Sequence, residues 1–160
     1  MSILTREVAE EAIGLVAPAI EAYFRGPNAA RPALAVVVGV KNAGTSVGGV
    51  FLAEYNFGEP STWEKRYDHF AKAKARICLR TGLNSDEAVR NEPFALDPGD
   101  ITYRGGIVIG SGDIKIVVAC SGLASRDDEM FAYMIGHAII AILRRQVEAV
   151  TATDEAYLPQ

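Results

Sequence analysis

The chain has 160 residues, with hydrophobic residues at 49%, 20 Asp and Glu, 16 Lys and Arg, and a formal net charge of −4 at pH 7. A chain of this length buries about two-thirds of its unfolded surface on folding, so one domain forms a core without a disulfide or metal staple. No block of Lys and Arg is present, which argues against a nucleic-acid partner, because such modules carry a basic stripe. The sequence predicts a small-molecule partner instead.

Cysteine usage and hydropathy indicate a reduced compartment and no membrane span. Cys78 and Cys120 lie 42 residues apart with no Cys-x-x-Cys pair, a pattern unlike a zinc site or a secreted disulfide scaffold. The N-terminal segment places acidic residues where a signal peptide needs its apolar run. The longest uncharged stretch, 130–143, has 14 residues, short of the roughly 20 that cross a bilayer. We expect a cytoplasmic protein in which this stretch is a buried helix.

The first half of the chain reads as a helix followed by a hairpin. Apolar residues recur at helical spacing over 5–25, and Pro18 is expected to interrupt or kink this helix. The valine-rich run 33–40 predicts a strand buried on both faces. A turn at 42–44 and a returning strand over 46–55 complete the hairpin.

A second helix is predicted from Ser61, because Ser61 and Glu64 have the spacing of a capping box. This helix is expected to extend to about Arg80 and to end at Gly82. A new cap at 84–87 then predicts a short helix that ends before Pro93.

The last part of the chain reads as a second hairpin followed by a long helix. Apolar runs over 101–109 and 114–120 predict two strands, separated by a glycine-rich turn. Ser125 and the acidic residues after it favour the start of a final helix over 126–145. Residues 1–150 form the predicted domain, and 151–160 form a loosely held tail. The order of elements predicts an α+β fold, an antiparallel sheet with helices packed on it.

Lys74 is the most unusual residue of the second helix, because it falls within the predicted core-facing stripe. Its ammonium must find acceptors, reach solvent or lose its charge, since an unpaired buried charge is very costly. One interpretation is structural, with the stem packed and the head bonded to a carbonyl or carboxylate at the sheet edge. The other is an anion-binding or low-pKa lysine that lines a pocket.

The two histidines have different predicted surroundings. His69 falls on the polar face of its helix, where exposure to solvent is expected. His137 lies within the uncharged stretch, flanked on the helical wheel by methionines and Tyr133, so partial burial is expected. It is interpreted as a core or interface histidine, or as an axial ligand to haem iron, for which a neutral imidazole is suited.

The stretch 130–143 is apolar on almost every side. One apolar face is expected to stay uncovered by the rest of the domain, and a second subunit is expected to cover it. We therefore predict self-association through helix 126–145, with deeper burial within the monomer as the alternative. The segment 121–129 offers free backbone amides at a helix start, which suit either anion binding or self-capping by its acidic residues. Its spacing matches neither a phosphate loop nor a dinucleotide fingerprint.

Four segments together resemble the GlcG/HbpS-like haem-binding family, which includes the PduO C-terminal domain. They are the segments 70–75, 103–109, 116–122 and 127–129. Lys74 matches the Lys-Ala of the family. The chain differs from the usual family pattern at two places in the predicted strands. Val108 lies where the family usually has a proline, and Ala119-Cys120 lies where it usually has a glycine-valine pair.

The resemblance implies a profilin-like fold, self-association, and binding of haem or another tetrapyrrole, sometimes with haem breakdown. It carries no iron ligand over to a histidine of this chain. For a haem-binding protein the candidate cofactor-binding residues are His137, also the candidate metal ligand, with His69, Arg104, Gly105 and Gly106.

An enzyme acting on a small organic metabolite is the alternative hypothesis. Its candidate catalytic residues are Lys74, as an electrostatic clamp, base or nucleophile, with Asp128 or Glu129 assisting. A third hypothesis is an oligomeric accessory protein without a ligand.

Overall fold

Helices and antiparallel strands alternate along the chain. The computed structural model describes residues 4–27, 32–42, 49–91 and 96–151. In chain order the elements are α1 (Arg6–Phe24), β1 (Leu34–Asn42), β2 (Val50–Phe57), a 3₁₀ turn (Pro60–Thr62), α2 (Tyr67–Thr81), α3 (Ser85–Asn91), β3 (Gly106–Ser111), β4 (Ile114–Ser121) and α4 (Ser125–Thr151).

The four strands form one antiparallel sheet in the order β2-β1-β4-β3. β1 lies in the interior of the sheet and is buried on both faces, which confirms the interpretation of the valine-rich run. Its residues alternate between two apolar clusters, as the two-residue period of a strand requires. Val36 and Val38 join one cluster and Val37 joins the other.

Helices cover both faces of this sheet. α1 and α4 pack on one face and α2 on the other, so the domain has three layers. The predicted α+β architecture is confirmed. Within the described parts of the chain, no helix is long and apolar enough to cross a membrane.

The ends of two helices follow ordinary capping chemistry, and the predicted stop at Gly82 is confirmed. The Thr5 hydroxyl accepts a hydrogen bond from Val8 N–H at the start of α1, and Gly82 closes α2 in the left-handed conformation at φ 72°. The predicted interruption at Pro18 does not occur, because α1 continues through it to Phe24. Packing of the buried stripe of α1 outweighs the one helical hydrogen bond that proline removes.

The predicted start of α2 at Ser61 is wrong. Ser61 lies in the 3₁₀ turn, where its hydroxyl donates to the Glu59 carboxylate, and α2 begins at Tyr67 without a side-chain cap. A capping box needs the helix to continue from it, and here the Ser61 hydroxyl is bonded within the short turn instead.

The strand predicted over 101–109 begins only at Gly106. Before it, Gly105 takes φ 125°, a conformation that ends an extended strand. The buried Ser85 hydroxyl binds both sides of this turn, donating to the Tyr103 carbonyl and accepting from Gly106 N–H. The turn thus depends on α3, a partner that the local pattern does not reveal.

The other predicted elements lie close to their observed positions. The hairpin turn after β3 contains Gly112 at φ 59°, and the short helix α3 is present. α4 continues to Thr151, beyond the predicted end at residue 145. The turn residues 43–48 and the tail residues 152–160 lie outside the described parts of the chain.

The outer edge of β3 is covered by side chains from the start of α3. Val108 N–H donates to the Asn84 amide oxygen at 2.8 Å, and Gly106 N–H donates to Ser85. The Asn84 amide nitrogen also donates to the Tyr133 hydroxyl at 2.9 Å, which ties this edge to α4. Covering an edge strand removes a template for pairing with other chains.

Two neighbouring residues of α4 test the assignment of its buried face. Phe131 is 2% exposed and Met130 is 43% exposed. We expect Phe131→Ala to lower the free energy of unfolding by about 3–5 kcal/mol, because it leaves a core cavity. Met130→Ala is the control and should change it by less than about 0.5 kcal/mol. Urea unfolding measures both, and equal effects would contradict the assignment.

Candidate functional site

Lys74 and Asp128 form a buried ion pair where α2, β4 and α4 meet. The Lys74 ammonium donates to the Cys120 carbonyl at 2.9 Å and lies 3.4 Å from the Asp128 carboxylate. The two side chains are 3% and 4% exposed. The structure therefore gives Lys74 the first of its two predicted environments, with a packed stem and a head bonded to a carbonyl and a carboxylate.

Asp128 is held from two directions. It lies in the first turn of α4, where its other carboxylate oxygen accepts from Leu123 N–H at 2.9 Å. Acidic side chains are favoured at this end of a helix because the free amides carry partial positive charge. Burial raises the pKa of Asp128 to about 7, while Lys74 and the backbone hydrogen bonds act to lower it.

Gly105 and Gly106 supply the space for this pair. A Cβ at Gly105 would lie 2.5 Å from the Cys120 carbonyl oxygen and 2.8 Å from the Lys74 ammonium. At Gly106 it would lie 2.8 Å from the Cys78 sulfur. These three contacts are closer than real side chains make, so the predicted cofactor-binding glycines allow close packing around Lys74.

The two cysteines beside Lys74 are buried and free, which confirms the predicted reduced thiols. Burial raises the pKa of Cys78 to about 12 and also raises the pKa of Cys120. Since the thiolate is the nucleophilic form, neither cysteine has the properties of a reactive residue.

Two other candidate residues lie beside this pair without joining it. Glu129 is half-buried and follows Asp128 at about 100° around the helix. Arg104 is exposed, and its guanidinium lies 3.8 Å from the Asp86 carboxylate.

His69 is exposed on α2, as expected. Its ring nitrogen Nε2 lies 2.8 Å from the Arg66 guanidinium. α2 packs on the face of the sheet opposite to α4, so the two histidines lie in different layers of the domain.

The predicted partial burial of His137 is wrong, because its side chain is exposed. Its ring stacks on Tyr133, with centroids 6.4 Å apart and planes at 27°. The buried face of α4 is formed instead by the large residues on the other side of the helix, such as Phe131, Ile135 and Ile139. Since the stretch is apolar almost all round, periodicity alone did not separate the two faces.

The exposed face of α4 forms a defined stripe. Met130, Met134, His137, Ala141 and Arg144 are all exposed. At 100° per residue they fall within about 80° of the helix circumference. No cluster of three His, Cys, Asp or Glu side chains that could hold a metal ion exists in the described segments. A metal bound at His137 would therefore need ligands from its own cofactor or from another molecule.

A groove between α1 and β2 is a second surface feature, which the sequence did not predict. It consists of two cavities of about 310 and 450 Å³ that share Tyr55 and Phe57 as lining residues. The one sequence signal for it is Gly14, an interior glycine of α1 that lines the first cavity.

The fold defined by these elements is an α+β domain with helices on both faces of a four-stranded antiparallel sheet. It is similar to that of HbpS, at 22% identity and a TM-score of 0.59 over 89% of this chain and 92% of that one. The Ybr137w protein is 18% identical, with a TM-score of 0.59 over 92% and 83% of the two chains.

A third solved structure with this fold is that of the Klebsiella pneumoniae protein ORFY, described under the family model DUF336. It is 17% identical, with a TM-score of 0.59 over 88% of this chain and 93% of that one. No protein-family model and no curated protein matches the chain. The resemblance to the GlcG/HbpS-like family is thus confirmed in the fold.

The raised pKa of Asp128 predicts a pH-dependent stability. Its folded-state value of about 7 exceeds the unfolded value of about 3.9, so the folded protein binds more protons between these values. This contribution to stability is present below about pH 4 and is lost as pH rises towards 7. Urea unfolding from pH 4 to 8 measures this effect. The free energy of unfolding should decrease less with rising pH in Asp128→Asn than in the unmodified protein. The same pH dependence in both proteins would contradict the raised pKa of Asp128.

Gly105 should be much less tolerant of a side chain than Gly112. Both have positive φ, but a Cβ at Gly112 meets nothing within 4 Å. We expect Gly105→Ala to lower the free energy of unfolding by at least about 2 kcal/mol, because it adds backbone strain and a clash with Lys74. Gly112→Ala should lower it by about 1 kcal/mol, because it adds backbone strain alone. Thermal unfolding compares the two, and equal losses would show that the space around Lys74 is not limiting.

Proposed function

We propose that this protein binds haem, or another flat tetrapyrrole, on the exposed stripe of α4, and acts as an oligomeric accessory or sensor protein. The observation that carries the proposal is the exposed imidazole of His137 between exposed methionines. The sequence resemblance to a haem-binding family agrees with it.

His137 has the chemistry of a haem-iron ligand, and its side chain is accessible. Its imidazole would bind the iron through a ring nitrogen, and the macrocycle would supply four further ligands. Met134 and Met130 lie one and two turns before it and are 37% and 43% exposed. Their flexible thioether chains suit contact with a flat aromatic macrocycle.

Tyr133 is the residue that orients the His137 ring. It stacks on the imidazole, and its hydroxyl accepts a hydrogen bond from Asn84, which is itself bonded to β3. Such outer contacts limit rotation of a ligating histidine and influence its affinity for metal.

Arg144 is suited to the carboxylate side chains of haem. It lies seven residues after His137, about 10.5 Å along the helix axis. Long helical side chains lean towards the N-terminus, which favours a guanidinium position on the His137 side of Arg144. A planar guanidinium binds carboxylates through paired hydrogen bonds.

A second copy of the chain completes this site in the proposal. One helix contacts only one side of a flat ligand, and the exposed apolar stripe favours association. In a two-fold dimer, helix 126–145 of each subunit faces its equivalent. The ligand then lies between two identical stripes.

The alternative of an enzyme that works through Lys74 lacks an accessible reactive group. The ammonium is 3% exposed and already has a carbonyl and a carboxylate as acceptors. A catalytic group must come within hydrogen-bond distance of its substrate.

A hemin titration followed by visible absorbance tests the proposal. We expect a saturable shift of the Soret band, with an affinity at least tenfold lower in His137→Ala. His69→Ala is the matched control, since it removes an exposed histidine from the opposite layer, and its titration should be unchanged. Circular dichroism verifies that each variant is folded. A titration without a saturable shift, or equal binding by both variants, would overturn the proposal.

A further inference from the structure

We propose that the groove between α1 and β2 is a binding site for a small amphipathic cation, a molecule with an aromatic or apolar body and an ammonium group. It lies apart from the stripe of α4 and contains neither histidine, so it does not depend on haem binding. Its shape, its lining and its charge each support this class of ligand.

The groove has the size of a small-molecule site. Its two cavities of about 310 and 450 Å³ adjoin at Tyr55 and Phe57, and sites for small ligands commonly measure about 300–1,000 Å³. One wall is α1 and the other is β2, the strand at the end of the sheet. Both walls are regular elements, which hold a site more rigidly than loops do, and Pro32 and Gly58, just outside β1 and β2, complete the lining of the second cavity.

Gly14 keeps the α1 wall open. It lies in the middle of a helix, where glycine is about 1 kcal/mol less favourable than alanine. Packing does not demand glycine here, because a Cβ would meet nothing within 4 Å. The wall therefore offers space for a ligand beside Gly14.

Aromatic rings form the opposite wall. Tyr55 and Phe57 lie on the same face of β2, with ring centroids 4.7 Å apart and planes at 59°. Tyr55 is 52% exposed, so much of its ring is available to a ligand. Aromatic faces attract both apolar bodies and cations.

The charged residues that line the two cavities are all acidic: Glu10, Glu21 and Glu54. Glu10 pairs with Arg6 at 2.8 Å and Glu54 with Lys72 at 3.2 Å. The glutamate side chain of each pair is exposed to solvent. Such exposed ion pairs contribute little to stability, so the glutamates can rearrange to meet a ligand. Glu10 and Glu21 fall on one side of α1, about 16 Å apart along its axis. This arrangement favours a cation and disfavours an anion.

The experiment uses 2-phenylethylammonium as the probe and 3-phenylpropionate as an anion of similar size. Protein-observed NMR follows the amide signals of Gly14 and Tyr55 during each titration. We expect saturable shifts of both signals with the ammonium and at least tenfold weaker binding of the anion. A lack of saturable shifts, or equal binding of the two probes, would overturn the proposal.

Two variants and one control variant locate the site. Gly14→Phe should fill the groove and abolish binding, while Leu15→Phe, one residue along on the exposed opposite side of α1, should leave it unchanged. Glu21→Gln should weaken binding severalfold without altering packing, which keeps the test valid if Gly14→Phe does not fold. Binding that survives in a folded Gly14→Phe, or is unaffected by Glu21→Gln, would contradict the proposed site.

Discussion

The buried ammonium of Lys74 is the contact on which the arrangement of the domain depends. It connects three elements, because α2 supplies the lysine, β4 the Cys120 carbonyl and α4 the Asp128 carboxylate. Removing two charges from water is costly, so such a pair contributes more to a unique arrangement than to stability. Gly105 and Gly106 are required beside it because neither position has room for a side chain.

This contact also determines which surfaces are open to ligands. It fixes the start of α4 beyond the end of β4, where Tyr23 adds a hydrogen bond to Asp127 at 2.7 Å. From there the large apolar residues of α4 pack inwards and His137 faces outwards. The titratable pair is enclosed, while the exposed stripe and the α1–β2 groove are accessible. Binding chemistry is therefore more consistent with these surfaces than with Lys74.

The sequence predicted those features that local chemistry determines. The strand buried on both faces and the stop at Gly82 follow from an apolar run and a left-handed glycine. The cost of a buried charge indicated that Lys74 needs acceptors, as one of two interpretations, but not which residues supply them. Features that depend on distant partners were mispredicted. The start of β3 depends on Ser85 in α3, and the exposure of His137 depends on which face of an almost wholly apolar helix meets the sheet. The groove depends on how α1 meets β2, which no single segment encodes.

A double-mutant cycle on the buried pair tests the central claim, that Lys74 and Asp128 act together to hold the fold. The variants are Lys74→Met, Asp128→Leu and the two combined, compared by the free energy of unfolding in urea. At pH 8, above the pKa of Asp128, the pair is ionised. The account predicts a loss of about 3–5 kcal/mol for each single variant at this pH, because each leaves one buried group without its ion-pair partner. The double variant should then lose at least about 2 kcal/mol less than the sum. If the loss in the double variant equals the sum of the two single losses to within about 0.5 kcal/mol, the two residues act independently, and the account is contradicted.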